Sequence, residues 1–296
     1  MSIRFGVSPI AWVNDDMPEL GADTPVETIL RDAAEIGFEG VELGGKFPRD
    51  PAVLRALLDS YGLALVGGWY SSSLLTRGAA DEIAALQPHL ALLKALGSDV
   101  FVVAETSNAI HGDKGRAMTA TPQLDPADWA AFGRGLSEVA AYIEDEGLKF
   151  AYHHHLGTVV ERKQDLDRFV EATSDKVGLT LDTGHAALGG VDALAVIRDH
   201  PGRVRHVHCK DVRGEVHRHQ RAGARSFLEG VLAGMFTVPD DGDLDFGAVM
   251  KALKAIDYAG WIVVEAEQDP AIADPRVYGQ RGLDGLKREA RRAGLI

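Results

Sequence analysis

The chain has 296 residues, of which 46% are hydrophobic and 25% are charged, and its formal net charge is −13. This composition is typical of a globular protein that buries a large core, and it excludes a disordered or fibrous chain. The negative charge argues against a nucleic-acid partner, because such binding depends on clustered Lys and Arg side chains.

Three features of the sequence bear on location. No apolar segment reaches the roughly 20 residues that are needed to span a bilayer. Residues 1–5 lack the charged and apolar regions of a secretory signal. Cys209 is the single cysteine, which excludes an internal disulfide and fits a reducing compartment. We therefore expect a cytoplasmic protein that does not contact a membrane.

Short β-branched segments alternate with longer segments of helical periodicity along the chain, which predicts parallel strands joined by helices. The predicted strands are residues 3–8, 40–43, 64–69, 100–104, 149–155, 177–182, 204–210 and 261–265. The predicted helices are residues 24–36, 50–61, 79–96, 126–146, 163–172, 192–199 and 246–256, with a last helix that includes 287–292. Eight such units favour an α/β fold of the closed (β/α)8 TIM barrel type over an open sheet.

The domain organisation follows from the same alternation. No linker or shift in composition interrupts it, so we expect residues 1–296 to form a single (β/α)8 barrel domain. Two connections, at about 105–125 and 211–245, are longer than a barrel requires. Both follow strands, and loops in that position build the active-site face of a barrel.

Residues that commonly bind metals stand at the ends of four successive strands. The fifth predicted strand ends in His153, His154 and His155, and the next three ends carry Asp182 and His185, His208 and Lys210, and Glu265 and Glu267. A divalent cation such as Mn²⁺ or Co²⁺ accepts mixed carboxylate and imidazole ligands and leaves positions open for substrate. A single Asp after a strand is usually a turn or helix cap, but four such ends together predict a metal site.

The ends of the first three strands add aromatic rings, amides and charges to the same rim. Trp12, Asn14, Glu42, Lys46 and Trp69 are candidates for substrate binding. Aromatic faces with a few polar groups suit a polyhydroxylated ring, whose carbon face is apolar and whose hydroxyls need partners. Core packing is the alternative role for the two tryptophans.

The chain resembles the myo-inosose-2 dehydratases of inositol catabolism, within the xylose-isomerase-like superfamily of sugar isomerases and epimerases. The segments that carry the resemblance are residues 8–21 (SPIAWVNDDMPELG), 37–50 (GFEGVELGGKFPRD), 152–160 (YHHHLGTVV), 181–185 (LDTGH), 226–246 (SFLEGVLAGMFTVPDDGDLDF) and 260–270 (GWIVVEAEQDP). They span almost the whole chain.

The resemblance implies a metal site built from a Glu, an Asp, a His and a Glu of the last four strands. Asp182, His208 and Glu265 match three of these. His153 stands where the first Glu is expected, and the nearest carboxylate is Glu161 in the following loop. We expect Glu161 as the fourth ligand, because a third carboxylate offsets the charge of the cation better, and His153 is the alternative.

The resemblance also implies a reaction, the loss of water from 2-keto-myo-inositol to give a trihydroxycyclohexane dione through an enolate. His153, His155 and His185 are candidates for proton transfer, and Lys210 is a candidate for stabilising negative charge. The assignment of base and acid among them stays open. Glu267 is a further substrate-binding candidate, and Asp211 is either a partner that orients His208 or a turn residue.

Two other functions remain to be separated from this one. An isomerase or epimerase of the same superfamily would share the enolate step, and a sugar-binding protein would bind without turnover. The expected partner is a small polyol ketone, and the sequence leaves the choice between monomer and homo-oligomer open.

Overall fold

Eight parallel strands form a closed barrel in the computed structural model, which describes residues 3–296. The described residues contain ten strands, eight in the barrel and two, β8 and β9, in a separate antiparallel pair: β1 (Arg4–Val7), β2 (Gly40–Leu43), β3 (Ala64–Ser72), β4 (Val100–Glu105), β5 (Lys149–His153), β6 (Gly178–Asp182), β7 (Val204–Cys209), β8 (Asp211–Val212), β9 (Phe236–Thr237) and β10 (Trp261–Val264). The barrel follows chain order from β1 to β7 and is closed by β10, which pairs with both β7 and β1. The predicted (β/α)8 fold is confirmed.

The helices lie in the connections after the barrel strands, with three of them between β7 and β10 and the last one after β10. They are α1 (Val26–Ile36), α2 (Pro51–Tyr61), α3 (Ala79–Leu96), α4 (Asp128–Asp145), α5 (Lys163–Ala172), α6 (Thr183–Leu188), α7 (Ala193–Asp199), α8 (Gly214–Ala222), α9 (Phe227–Leu232), α10 (Phe246–Ala255) and α11 (Pro275–Ala293). Within the described residues, no helix is both long and apolar enough to cross a membrane.

Local signals set the ends of several helices. The side chain of Asp50 accepts hydrogen bonds from the backbone N–H groups of Ala52 and Val53 and so begins α2. The same helix ends at Gly62, which has a left-handed backbone (φ 67°) that glycine adopts without a steric penalty.

Side-chain alternation along the strands separates two layers. Phe101, Phe150 and Leu179 belong to the large core between the strands and the helices. Val102 and Ala151 form a separate small cluster on the opposite, inner face. The alternation continues to the strand ends and directs selected side chains into the mouth of the barrel.

The connection after β7 is folded rather than open. It contains α8, α9 and the antiparallel pair β8–β9. Its apolar side chains, among them Phe227, Val231 and Phe236, form a second core cluster with Met118 and Leu156 from the connections after β4 and β5. This cluster fixes the connection over one side of the barrel mouth, because burial of these side chains stabilises it.

Candidate active site

Four buried side chains at the ends of consecutive barrel strands form a group whose ligand atoms lie within 4.8 Å of one another: His153, Asp182, His208 and Glu265. Asp182 and His208 are direct neighbours in the pairing of β6 and β7. Oδ2 of Asp182 lies 3.7 Å from Nε2 of His153 and 3.7 Å from Nδ1 of His208. Adjacent strands of a parallel barrel thus bring together residues that are far apart in sequence.

The polar atoms of this group suit a divalent cation. Nδ1 of His153 donates to the carbonyl of His154 at 2.8 Å, which leaves a lone pair on Nε2. Oδ2 of Asp182 is buried and lacks a hydrogen-bond partner among the described residues, and Nδ1 of His208 is buried 2.7 Å from Oε2 of Glu265. Buried polar atoms are rarely left unpaired, so their convergence fits a site whose partner is an ion.

Glu42 holds the other side of His208. Its Oε1 accepts hydrogen bonds of 2.9 Å from Nε2 of His208 and from Nε2 of His206. Burial raises the pKa of Glu42, but the two histidines outweigh it and bring the pKa down to about 2. The carboxylate therefore stays ionised and directs Nδ1 of His208 toward the group.

Lys210 is a fully buried ammonium group among carboxylates. Its Nζ donates to Glu267 at 2.6 Å and lies 2.6 Å from Oε1 of Glu265 and 3.0 Å from Nε2 of His185. Burial lowers the pKa of Lys210, but Glu265 and Glu267 outweigh it and raise the pKa above its usual value. Lys210 is therefore a permanent cation that fixes both carboxylates.

The histidines beside Lys210 are held neutral. Burial and Lys210 lower the pKa of His185 to about 4, and burial with nearby His185 lowers that of His155 well below its usual value. His155, His185 and Glu267 also offer ligand atoms within 4.8 Å of one another. The ammonium of Lys210 contacts two members of this second group, His185 and Glu267.

The connection after β7 forms the wall behind these histidines. The ring centroids of His155 and His185 are 3.8 Å apart, and the ring of Phe227 lies 5.4 Å from that of His155. Phe236 lies 5.1 Å from His185, and Nζ of Lys210 is 4.5 Å from the centroid of Phe236. These phenyl rings exclude water from the ionised groups, which strengthens their interactions.

A cavity of about 210 Å³ opens in front of the four-residue group. Its lining includes Glu42, Trp69, His153, His155, His208, Glu265 and Glu267 from the predicted set. Nε1 of Trp69 donates to Oγ of Ser71 at 2.9 Å, which fixes the indole edge-on to His153, with ring centroids 5.3 Å apart. His185 and Lys210 lie behind this lining and contact it.

The cavity is also lined by residues that sequence reasoning did not single out. These are Ser8, Pro9, Ile10, Asp15, Asp16, Leu43, Gly45, Arg49, Ser71, His89, Val102 and His111. Asp16 lies in the segment already expected at the rim. His111 lies in the long connection after β4, where no periodic pattern indicates which side chain points inward.

Glu161, the expected fourth ligand, is placed apart from the four-residue group. Its Oε2 accepts from the backbone N–H of Gly157 at 2.7 Å and from Oγ1 of Thr121 at 2.6 Å. Arg221 lies 4.0 Å from its other oxygen. The carboxylate thus joins the connections after β4 and β5, and His153 takes the position among Asp182, His208 and Glu265.

Three of the expected substrate-binding residues are likewise engaged elsewhere and are not among the described residues that line the cavity. Trp12 is buried in the core and donates from Nε1 to Asp32 at 3.1 Å. Oδ1 of Asn14 accepts from the backbone N–H groups of Asp16 and Met17. Nζ of Lys46 donates to the carbonyls of Gly21 and Thr24, because the segments after β1 and β2 meet there.

Asp211 has the turn role rather than the orienting role. Its carboxylate accepts from the backbone N–H groups of Val212, Gly242 and Leu244. These bonds close the connection after β7. The preceding residue but one, Cys209, lies on the outer face of β7 and is a buried free thiol.

Known proteins share this chain's sequence and fold over nearly its whole length. The family described as xylose isomerase-like TIM barrel matches residues 30–289. The rhizopine catabolism protein MocC of Rhizobium meliloti is 45% identical over 295 residues, covering 100% of this chain and 91% of that protein. An inosose dehydratase of Geobacillus thermodenitrificans is 41% identical over 287 residues, covering 96% of each.

A solved structure supports the fold. An L-ribulose 3-epimerase superposes with a TM-score of 0.68, covering 100% of this chain and 98% of that one, at 18% identity. With the match of the family over most of the barrel and relatives above 40% identity over full length, the chain belongs to the xylose isomerase-like TIM barrel family.

Proposed function

We propose that this chain is a hydro-lyase that removes water from 2-keto-myo-inositol to give a trihydroxycyclohexane-1,2-dione, in the breakdown of myo-inositol. The observation that carries the proposal is the full-length similarity, at 41% identity, to a protein named inosose dehydratase. The cavity supports it, since it joins a cation-binding group to neutral histidines and a fixed aromatic ring.

The residues that would hold a divalent ion, Mn²⁺ or Co²⁺, are His153, Asp182, His208 and Glu265. Three buried carboxylates, those of Asp182, Glu265 and Glu267, lie within 4 Å of the ammonium group of Lys210, and the buried carboxylate of Glu42 bonds His208. The carboxylates outnumber the ammonium group, so added positive charge is favourable there. When bound, the ion supplies a Lewis acid that polarises the substrate ketone and makes the adjacent C–H more acidic.

The reaction requires two proton movements. A base takes the proton from the carbon between the ketone and the β-carbon, and the electron pair of that C–H bond forms the enolate. The enolate then expels the β-hydroxyl, which leaves as water after it gains a proton. The resulting hydroxy-enone is the enol form of the dione and converts to it without any oxidant.

His155 is the proton-transfer residue in this proposal. Its Nδ1 donates to the carbonyl of Leu156 at 2.7 Å, so Nε2 carries the lone pair, and the ring lines the cavity. Burial and the neighbouring His185 lower the pKa of His155, so the ring is neutral and accepts a proton at Nε2 before it returns that proton to the leaving hydroxyl. Behind the cavity lining, the ring of His185 packs against His155, and Lys210 donates a hydrogen bond to Glu267.

Trp69 provides the surface for the carbon face of the ring. It is 36% exposed, and its indole nitrogen is already bonded to Ser71. An aromatic face that is fixed in place favours a flat apolar ring face over an open chain.

The test is product identification on one substrate. Protein freed of metal by chelation and then given Mn²⁺ or Co²⁺ should convert 2-keto-myo-inositol to a compound lighter by one water, and renewed chelation should stop the conversion. Solvent deuterium on carbon in a product that has not lost water would instead indicate an epimerase. Absence of water loss with either ion would reject the proposal.

A second candidate is a step of rhizopine catabolism, which is favoured by the 45% identity to MocC. The same assay is therefore run with rhizopine as a second substrate. A kcat/KM for rhizopine that exceeds the value for 2-keto-myo-inositol would favour the second candidate.

A further inference from the structure

Asp16 and His111 face each other across the outer part of the cavity, and neither is used by the proposed proton transfer. Asp16 lies in the connection after β1 and His111 in the connection after β4, and both line the cavity. Their side chains are 31% and 12% exposed. They are thus mostly buried polar groups at the open end of the site.

The side chains of Asp16 and His111 are close to each other but too far apart for a direct hydrogen bond. Nε2 of His111 lies 4.0 Å from Oδ1 of Asp16, longer than the roughly 2.7–3.2 Å of a direct hydrogen bond. Nδ1 of His111 is buried and has no hydrogen-bond partner among the described residues. The imidazole is therefore not satisfied by the protein around it.

Hydrogen bonds to backbone groups fix the two segments that carry Asp16 and His111. Oδ1 of Asn14 accepts from the N–H groups of Asp16 and Met17, and Met17 is buried in the second core cluster. On the opposite side, the N–H of Ile110 donates to the carbonyl of Gly157 at 2.9 Å.

Gly157 approaches His111 so closely that a Cβ added there would lie 3.0 Å from the backbone nitrogen of His111. Glu161 in turn accepts from the N–H of Gly157 and from Thr121, and so fixes both ends of this contact. The buried Glu161 thereby supports the position of His111.

The ring of His155 lies between His111 and the four-residue group. Its centroid is 4.7 Å from that of His111 and 5.5 Å from that of His153. Trp69 lies near both histidines: its ring centroid is 6.4 Å from that of His111 and 5.3 Å from that of His153. A six-membered ring on Trp69, with its ketone at the four-residue group, directs its far substituents toward His111.

We propose that Asp16 and His111 together bind a ring hydroxyl of the substrate that is remote from the reacting carbons, and so select a polyhydroxylated cyclohexanone. A hydroxyl accepts one hydrogen bond from an imidazole N–H and donates one to a carboxylate, which matches this pair. The inference rests on the proposed function for the orientation of the ring.

The test compares two variants that preserve shape. Asp16→Asn removes the charge, and His111→Phe keeps the ring against His155 and Trp69 but removes its nitrogens. The substrates are 2-keto-myo-inositol and its single-deoxy analogues, each lacking one hydroxyl away from the reacting carbons. Glu19→Gln is the control, because Glu19 pairs with Lys114 between the same two connections on the exposed surface.

Each variant should lower kcat/KM for the full ketone about 10- to 100-fold, the range for a lost hydrogen bond to a charged group. For one deoxy analogue, and the same one for both variants, the loss should shrink to within about threefold, because the partner is already absent. Glu19→Gln should leave the whole series unchanged. Equal losses for every analogue, or no loss for the full ketone, would overturn the inference.

Binding measurements separate this inference from the proposed function. If the wild type removes water from no inosose, the proposed function fails, and Kd values for the same ketones are measured by calorimetry with Mn²⁺ present. The same pattern in Kd supports the hydroxyl site. Equal Kd values for wild type and variants, or no binding at all, reject it.

Discussion

Glu42 and His208 are hydrogen-bonded at 2.9 Å although 166 positions separate them in the chain. The bond fixes Nε2 of His208 as the protonated ring nitrogen and leaves Nδ1 to face Asp182 and Glu265. Carboxylates that hold a ligating histidine in this way set both the orientation of the ring and its basicity.

Glu42→Gln should therefore weaken metal binding about 10- to 100-fold without unfolding the protein. The amide keeps the size of the side chain but not its charge. Calorimetric Kd values for Mn²⁺ measure the effect, and Glu82→Gln, at a buried carboxylate on α3, is the control. A Kd equal to that of the wild type would show that Glu42 does not position His208.

The fourth ligand is tested by two variants in parallel. His153→Ala should reduce bound Mn²⁺ well below one ion per chain, because it removes one donor of the group. Glu161→Gln should keep a full complement, since its carboxylate bonds Gly157 and Thr121 instead. Metal analysis after gel filtration gives the result, and the opposite pattern would restore Glu161 as the ligand.

Asp182→Asn should abolish stoichiometric metal binding and turnover, while α6, the helix that begins after Asp182, stays folded. Oδ1 of Asp182 accepts from the N–H of His185 at the start of α6, and an asparagine oxygen preserves that cap. Asp192→Asn makes the same change at the cap of α7, away from the cavity, and should retain metal and activity. Metal bound at wild-type affinity in Asp182→Asn would contradict the assignment.

Lys210→Met should destabilise the fold more than loss of an exposed ion pair does. The change leaves Glu265 and Glu267 buried without their ammonium partner, and breaking such a pair costs about 3–5 kcal/mol. Lys94→Met breaks the exposed pair with Glu146 and should cost under about 1 kcal/mol. The measurement is the free energy of urea unfolding, and equal costs would mean that the buried pairs contribute little.

His154 should make the metal-free protein sensitive to acid. Burial, with a contribution from His153, lowers its pKa to about 3, whereas the unfolded chain has a value near 6.5. The unfolded state therefore binds the proton first as the pH falls below about 6.5, and stability is lost in that direction.

Replacement by an apolar ring isolates this effect. Between pH 7 and pH 5, His154→Phe should lose about 2 kcal/mol less of its free energy of unfolding than the wild type does. Both nitrogens of His154 are buried without partners among the described residues, so the phenyl ring leaves no hydrogen bond broken. Parallel curves of stability against pH would show that His154 is not the group responsible.

Sequence patterns were sufficient for the barrel and for part of the site. Alternation of side chains along the strands is a local property, so the strands around Phe101, Ala151 and Leu179 were predictable in face, and their ends to within two residues. The positions of Asp182, His208 and Glu265 follow from the same rule, since parallel strands end at one rim. The interior of the connection after β7 was not predictable, because its short helices form by burying Phe227 and Phe236 against other connections.

The sequence by itself thus determined the (β/α)8 fold and a rim of side chains that could bind a metal, because both depend on short-range periodicity. Only the tertiary structure places His153, rather than Glu161, beside Asp182, His208 and Glu265, because each side chain takes the partners that lie nearest after the barrel closes. The same holds for Glu42 beside His208 and for Asp16 opposite His111. These pairs join distant segments, and the distance between their atoms is set by how those segments pack.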